Sequence, residues 1–189
     1  MELSGKQFNA LMQYTKKATG IFTYPILEDN LLFFSNGYSL IAVEMAFGTE
    51  SFDFAEKDDM LVLRFDKHKI LAKDKIIIET SGIYLNGEKI GRWGKAGMSN
   101  KPQLKKLLNE AKSMAGQSNK DEINFYFSKH GISRENLKNI SDIANAFVCD
   151  TKIVPCCKKH SNGKYGLPVI YCEYKTNFNI CGVCAPVRF

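Results

Sequence analysis

The run NLLFFSNGYSLIAVEM, Asn30 to Met45, constrains the fold more than any other stretch. Its aromatic and β-branched residues flank Ser35-Asn36-Gly37, and a second polar break stands at Glu28-Asp29-Asn30, a spacing that reads as successive antiparallel strands joined by tight turns. The neighbouring stretches GIFTYPIL and DMLVLRF are further strands, and KIIIETSGIYLNGEKIGRW is a meander turning at Ser81-Gly82 and Asn86-Gly87. No strand-helix-strand alternation with a glycine fingerprint accompanies them, which disfavours a dinucleotide fold.

Helices are signalled around this sheet. Ser4 followed by Gln7 is a capping box, and Phe8, Leu11, Met12 and Ala18 return near helical spacing, so a helix is predicted from about Gly5 to Lys17. The Lys67–Lys73 stretch reads as a short helix. Residues 94–100, GKAGMSN, are small and polar and mark a domain boundary, giving blocks 1–97 and 98–189. Past it a second helix starts near Pro102, with Leu104, Leu107, Leu108 and Ala111 on its apolar face. The strand EINFYF follows, then a third helix from Ser133 with Leu137, Ile140, Ala144 and Phe147 facing inward. Strands at about 152–157, 168–174 and 179–185 close the chain, with KKHSNGKYG as a basic loop. Helices combined with antiparallel strands make an α+β protein.

The 189 residues carry a net charge of +6, unevenly placed. Residues 1–97 hold 12 Lys and Arg against 13 Asp and Glu, while 98–189 hold 14 against 7. A basic half suits an anionic partner, nucleic acid before membrane, although a solvated basic face has the same composition. The start, MELSGKQF, lacks the basic-then-apolar pattern of a signal peptide, and no apolar run approaches the roughly 20 residues of a spanning helix. A cytoplasmic protein without membrane contact is expected.

All six cysteines lie between Cys149 and Cys184. Cys181 and Cys184 form a C-x-x-C beside the pair Cys156-Cys157, which admits a zinc site if Gly182 makes a tight turn. In a continuous strand, positions three apart face opposite ways, and the cysteines are then buried reduced thiols. No metal or other cofactor is assigned. His68, His130 and His160 fall in separate elements and no nucleophile-base-acid order stands out, so the expectation is a binding protein and not an enzyme.

Two segments together resemble a known family. SNGYSLIAV, on a turn between strands, is similar to the Thr-Asp-Gly-(His/Tyr)-Arg-Leu-Ala segment in the middle domain of bacterial β sliding clamps of DNA polymerase. PVIYCEYKTNFNICGVCAPVRF resembles the C-terminal hairpin of that family, which ends in Met-Pro-Met-Arg-Leu, where this chain ends in Ala185-Pro186-Val187-Arg188-Phe189. The resemblance implies a DNA-clamp-like α+β fold with helices packed on one face of antiparallel sheets. It also implies two clamp-type domains, the second abbreviated, as in a shortened clamp of phage or mobile-element type. Ser39, Asn36 and Ala185 depart from the family's Arg, Asp and Met.

The function implied is that of a processivity factor in DNA replication. By resemblance, Ser35, Gly37, Tyr38 and Leu40 form one wall of a peptide-binding cleft and Pro186, Val187, Arg188 and Phe189 the other. The implied partners are a DNA polymerase or other clamp-binding protein, double-stranded DNA held without sequence preference, and a second copy of the chain in a homo-oligomer. Lys16 and Lys17 on the first helix, Lys101, Lys105 and Lys112 on the second, and Arg134 and Lys138 on the third are the candidate phosphate contacts. Alternatives are a decoy that occupies clamp-binding partners without encircling DNA, and a zinc-dependent DNA-binding module.

Overall fold

The start of the chain folds as its local sequence dictates. Strand β1 (Glu2–Ser4) leads directly into helix α1 (Gly5–Met12), where the Gln7 N–H donates to Ser4 Oγ at 3.3 Å and the Ser4 N–H donates to Gln7 Oε1 at 2.9 Å. The capping box is therefore present in both directions. The helix ends earlier than Lys17: residues Gln13–Thr15 tighten into a 3-10 turn and Lys17 takes a φ of 64°. The Thr15 hydroxyl donates to the Met12 carbonyl at 2.9 Å, which occupies an acceptor at the helix end.

The computed structural model describes residues 1–56, 59–66, 68–97, 103–117, 130–157, 168–185 and 187–188. After α1 come β2 (Ile26–Glu28), β3 (Leu31–Ser35), β4 (Ser39–Glu44), β5 (Met60–Phe65), β6 (Lys75–Glu79), β7 (Gly82–Leu85) and β8 (Glu88–Lys95). The rest comprises α2 (Leu104–Gln117), β9 (His130–Gly131), α3 (Arg134–Phe147), β10 (Thr151–Cys156), β11 (Val169–Tyr174), β12 (Ile180–Cys184) and β13 (Val187–Arg188). The expected strand EINFYF lies outside the described residues.

Eleven strands make one antiparallel sheet in the order β1-β6-β7-β8-β5-β2-β3-β4-β12-β11-β10, and β13 pairs separately with β9. The strand from the end of the chain is thus inserted beside the N-terminal hairpin. Cys184 pairs with Ser39 and Ile180 with Val43, so β12 continues the sheet from β4. Gly182, opposite Ile41, permits the close approach: a Cβ there would lie 2.9 Å from the Leu40 carbonyl oxygen.

Both faces of the sheet are covered, and the strands alternate accordingly. Leu32, Phe34, Ile41, Val43, Leu61 and Leu63 join α1 and the α3 residues Ile140, Ile143 and Ala146 in one core. Phe33, Leu40, Ala42, Met60 and Val62 join the α2 residues Leu104, Leu108 and Ala111 in a second core. Each fully buried side chain of this size contributes roughly 1.5–3 kcal/mol through the hydrophobic effect. The expectation that all helices share one face is corrected here, because α2 packs opposite α1 and α3.

The predicted helix at 67–73 is absent from the described residues of that stretch. Its backbone serves α1 instead: the Gly5 N–H donates to the Asp74 carbonyl at 2.7 Å and the Lys6 N–H to the Ala72 carbonyl at 3.2 Å. The first N–H groups of a helix have no partner within it, and the carbonyls of this turn supply partners for two of them. The Asn9 side-chain amide also donates to the Ile70 carbonyl, at 2.9 Å.

Candidate functional site

The loop Asn36-Gly37-Tyr38 joins β3 to β4 and is built by short polar side chains. Asn36 Oδ1 accepts from the N–H groups of Tyr38 at 3.0 Å and Ser39 at 2.9 Å, while Ser35 Oγ accepts from the Gly37 N–H at 3.1 Å and donates to the Ser39 carbonyl at 3.0 Å. Gly37 has a φ of 87°, which a residue with a Cβ rarely adopts. The result is a loop held by its own hydrogen bonds that lifts Tyr38 into solvent, 81% exposed.

Pairing of β12 with β4 brings the second resembled segment to this loop. The Ala185 N–H donates to the Tyr38 carbonyl at 2.9 Å, and the Asn136 side-chain amide, in the first turn of α3, donates to the Ala185 carbonyl at 3.1 Å. Ser133 caps that helix by accepting from the Asn136 N–H at 3.0 Å. Beyond Ala185, the backbone of Val187 and Arg188 pairs with Gly131 and His130. Pro186 and Phe189 lie outside the described residues.

The eight residues named for the cleft are therefore placed unequally. Gly37 and Tyr38 are exposed beside the tail, whereas Ser35 and Leu40 are buried, Ser35 with its hydroxyl committed to the turn and Leu40 in the α2 core. Among the described residues the surface at this point includes the Gly37-Tyr38 loop with its exposed Tyr38 ring.

The named cations divide between the two faces. On the α1 and α3 side lie Lys16, Lys17, Arg134 and Lys138. Lys17 pairs with Glu135 at 3.2 Å and Lys138 with Asp142 at 2.5 Å, both on the surface. Such pairs contribute at most about 1 kcal/mol, so these ammonium groups can be redirected to another anion. On the α2 side lie Lys112 and Lys105, the latter paired with Asp29. Lys101 lies outside the described residues.

Glu28 and Asp29 hold the start of α2. Glu28 Oε2 accepts from the Lys105 N–H at 2.9 Å, and burial pushes its carboxyl above the ordinary glutamate value despite that hydrogen bond.

The cysteines follow strand alternation. Cys184 belongs to the α1 and α3 core while Cys181 packs against the α2 core, so the two point to opposite faces. Cys172 is buried beside Cys184, and a hydrogen bond to Cys184 together with burial holds its thiol protonated far above the usual cysteine value. A metal requires thiolates. Among the described residues no three His, Cys, Asp or Glu side chains converge, and no helix among them is long and apolar enough to cross a membrane.

One feature of the surface was not read from the sequence. Arg64 of β5 and Arg92 of β8 are direct cross-strand partners and both are exposed. They line a hollow of about 640 Å³ with Tyr24, Phe65 and Lys89. The residues are 28 apart in sequence and only the sheet register brings them together.

No family model matches the chain, and no curated protein matches it in sequence. Among solved structures it is similar to a DnaN sliding clamp, DNA polymerase III subunit beta, from Bartonella birtlesii bound to griselimycin, with 9% identity and a TM-score of 0.36. The match covers 100% of this chain and 66% of that one, so the chain spans just under two thirds of that protein's length. A likeness at that score carries no argument about fold or activity.

Proposed function

We propose that this chain is a clamp-like accessory protein of DNA replication, with a binding and not a catalytic role. It captures short hydrophobic peptides of replication proteins beside the Gly37-Tyr38 loop and holds DNA without sequence preference. The observation that carries this reading is the juxtaposition of the two resembled segments: Ala185 is hydrogen-bonded to Tyr38, and β12 lies alongside β4.

The physical case begins with preorganisation. A loop fixed by Asn36 and Ser35, next to a tail anchored by Asn136, loses little entropy when a peptide docks. Tyr38 is a broad amphipathic anchor of the type that dominates peptide and protein interfaces. Val187, Arg188, Pro186 and Phe189 complete the proposed wall. Residues 1–97 and 98–189 act as two clamp-type units, the second abbreviated, joined edge to edge through β4 and β12.

DNA contact is assigned to the α1 and α3 side, where Lys16, Lys17, Arg134 and Lys138 collect, with Lys101, Lys105 and Lys112 of the second unit adding to the basic surplus. Nonspecific binding of this kind comes from phosphate neutralisation. The division of the named cations between the two faces favours a second reading in which the chain occupies clamp-binding partners without encircling DNA. Titration with a short hydrophobic clamp-binding peptide tests the peptide site common to both readings. Micromolar binding that Tyr38→Ala weakens supports them, and no binding at millimolar peptide refutes them.

A further inference from the structure

The cross-strand pair Arg64 and Arg92 is unfavourable in isolation. Like charges directly opposite on neighbouring strands repel, and among the described residues neither guanidinium meets a carboxylate. Both side chains are exposed, so neither is needed to fill a core. Lys89 adds a third cation to the hollow they line, and among the described residues Asp66 is its one acidic member.

An aromatic ring stands in the same row. Ile26 pairs with Val62, and the Leu63 N–H donates to the Pro25 carbonyl at 3.0 Å, so carrying the register back places Tyr24 beside Arg64. Tyr24 is half-buried and packs edge-on against Phe65, with ring centres 5.8 Å apart. The same two rings also line a second hollow, of about 380 Å³, whose rim carries Lys16, Lys17 and His68. Two basic hollows therefore adjoin across one aromatic divide.

The geometry points to a groove for single-stranded nucleic acid, with phosphates held by Arg64, Arg92 and Lys89 in the first hollow and a base laid on Tyr24 at the divide. Guanidinium groups bind phosphate oxygens through paired N–H donors, and opposed arginines can grip one phosphate from two sides. Cations tracking the backbone and an aromatic platform for the bases are the two elements that sequence-tolerant single-strand binding needs. A duplex presents no unstacked base to Tyr24. The first hollow shares no cation with the duplex surface proposed on the α1 and α3 side, although Lys16 and Lys17 of that side line the adjoining hollow, and the grip of Arg64, Arg92 and Lys89 stands without that proposal.

The test is fluorescence polarisation of a labelled oligothymidylate of about twelve nucleotides, a length within the range single-strand sites occupy. The wild-type chain is compared with Arg64→Gln/Arg92→Gln and with Tyr24→Leu, alongside an unlabelled duplex and an acidic peptide as competitors. The double variant is expected to bind the oligothymidylate at least tenfold more weakly and Tyr24→Leu several-fold more weakly. Thermal melting of the double variant is expected to be unchanged or raised, since a repulsion has been removed. Unchanged oligothymidylate affinity in the double variant overturns the proposal. So does binding of the acidic peptide with the same arginine dependence in place of the oligothymidylate, or displacement by duplex as effective as by single strand. Failure of Arg134→Ala/Lys138→Ala, which line neither hollow, to affect duplex binding bears on the duplex surface alone.

Discussion

The Ala185 N–H donates to the carbonyl of Tyr38 across 2.9 Å, joining residues 147 positions apart at the point where β12 leaves the sheet. It continues the β4–β12 ladder by one bond. Tyr38 thereby has two duties: its backbone receives the tail and its ring faces solvent.

The β4–β12 seam predicts a sensitive position. Gly182→Val places a branched side chain against the Leu40 backbone oxygen, which already lies 2.9 Å from the site of a Cβ. Forcing the strands apart is expected to destabilise the chain by about 1–3 kcal/mol, read as a lower urea midpoint. An unchanged midpoint means that the seam is looser than described.

Val148 ends α3 in the left-handed region, at φ 51° and ψ 57°, with its side chain 89% exposed. A β-branched residue gains nothing there in packing and pays the steric cost of that conformation. Val148→Gly is expected to stabilise by about 1 kcal/mol, seen as a melting temperature a few degrees higher. A lower melting temperature contradicts the assignment.

Glu28 gives a pH dependence of defined sign. Burial raises its folded pKa above the unfolded value, so the folded state takes up the proton more readily and stability falls as pH rises from the ordinary glutamate range through the folded pKa. Glu28→Gln keeps an oxygen for the Lys105 N–H and removes the charge. Urea denaturation should show the stability of wild type falling relative to the variant as pH rises across the mildly acidic range. Wild-type stability that rises relative to the variant over that range means that the carboxylate is net favourable.

The proposed surface on the α1 and α3 side predicts salt-dependent duplex binding. Affinity should fall by about 0.9 log unit per log unit of salt for each phosphate neutralised. Lys16→Ala/Arg134→Ala should reduce that slope by up to about 2, since both cations lack a carboxylate partner among the described residues. Salt-independent affinity, or none at low salt, removes DNA from the proposal.

What the sequence disclosed was local. Ser4 and Gln7 announced α1 because a capping box is complete within four residues, and the Ser35-Asn36-Gly37 turn was legible because its hydrogen bonds stay within the loop. Helix phase was harder. Leu107 and Leu137 were expected inside but are 42% and 45% exposed, while Asn139 is buried, a rotation that apolar spacing alone does not determine. The 67–73 stretch lost its helix to the orphan N–H groups of α1, a long-range demand. Likewise, α2 announced an apolar stripe through Leu104, Leu108 and Ala111, but the face it covers depends on the placement of β10, β11 and β12. At the site, family resemblance set the Tyr38 loop opposite the segment 186–189, and the Tyr38–Ala185 hydrogen bond itself was not read from the sequence. The burial of Leu40 and the Arg64–Arg92 pair depend on strand register, which no short motif encodes.

The most direct test of the proposed function is calorimetric titration of a hydrophobic clamp-binding peptide into the full chain and into a form lacking Val187-Arg188-Phe189. The full chain should bind in the micromolar range, about 8 kcal/mol. The shortened chain should lose that binding while melting within a few degrees of the parent, because a surface wall has been removed and no core void created. A shortened chain that melts far lower, together with a full-length chain that never binds peptide, would make the C-terminal segment a structural plug and contradict the account.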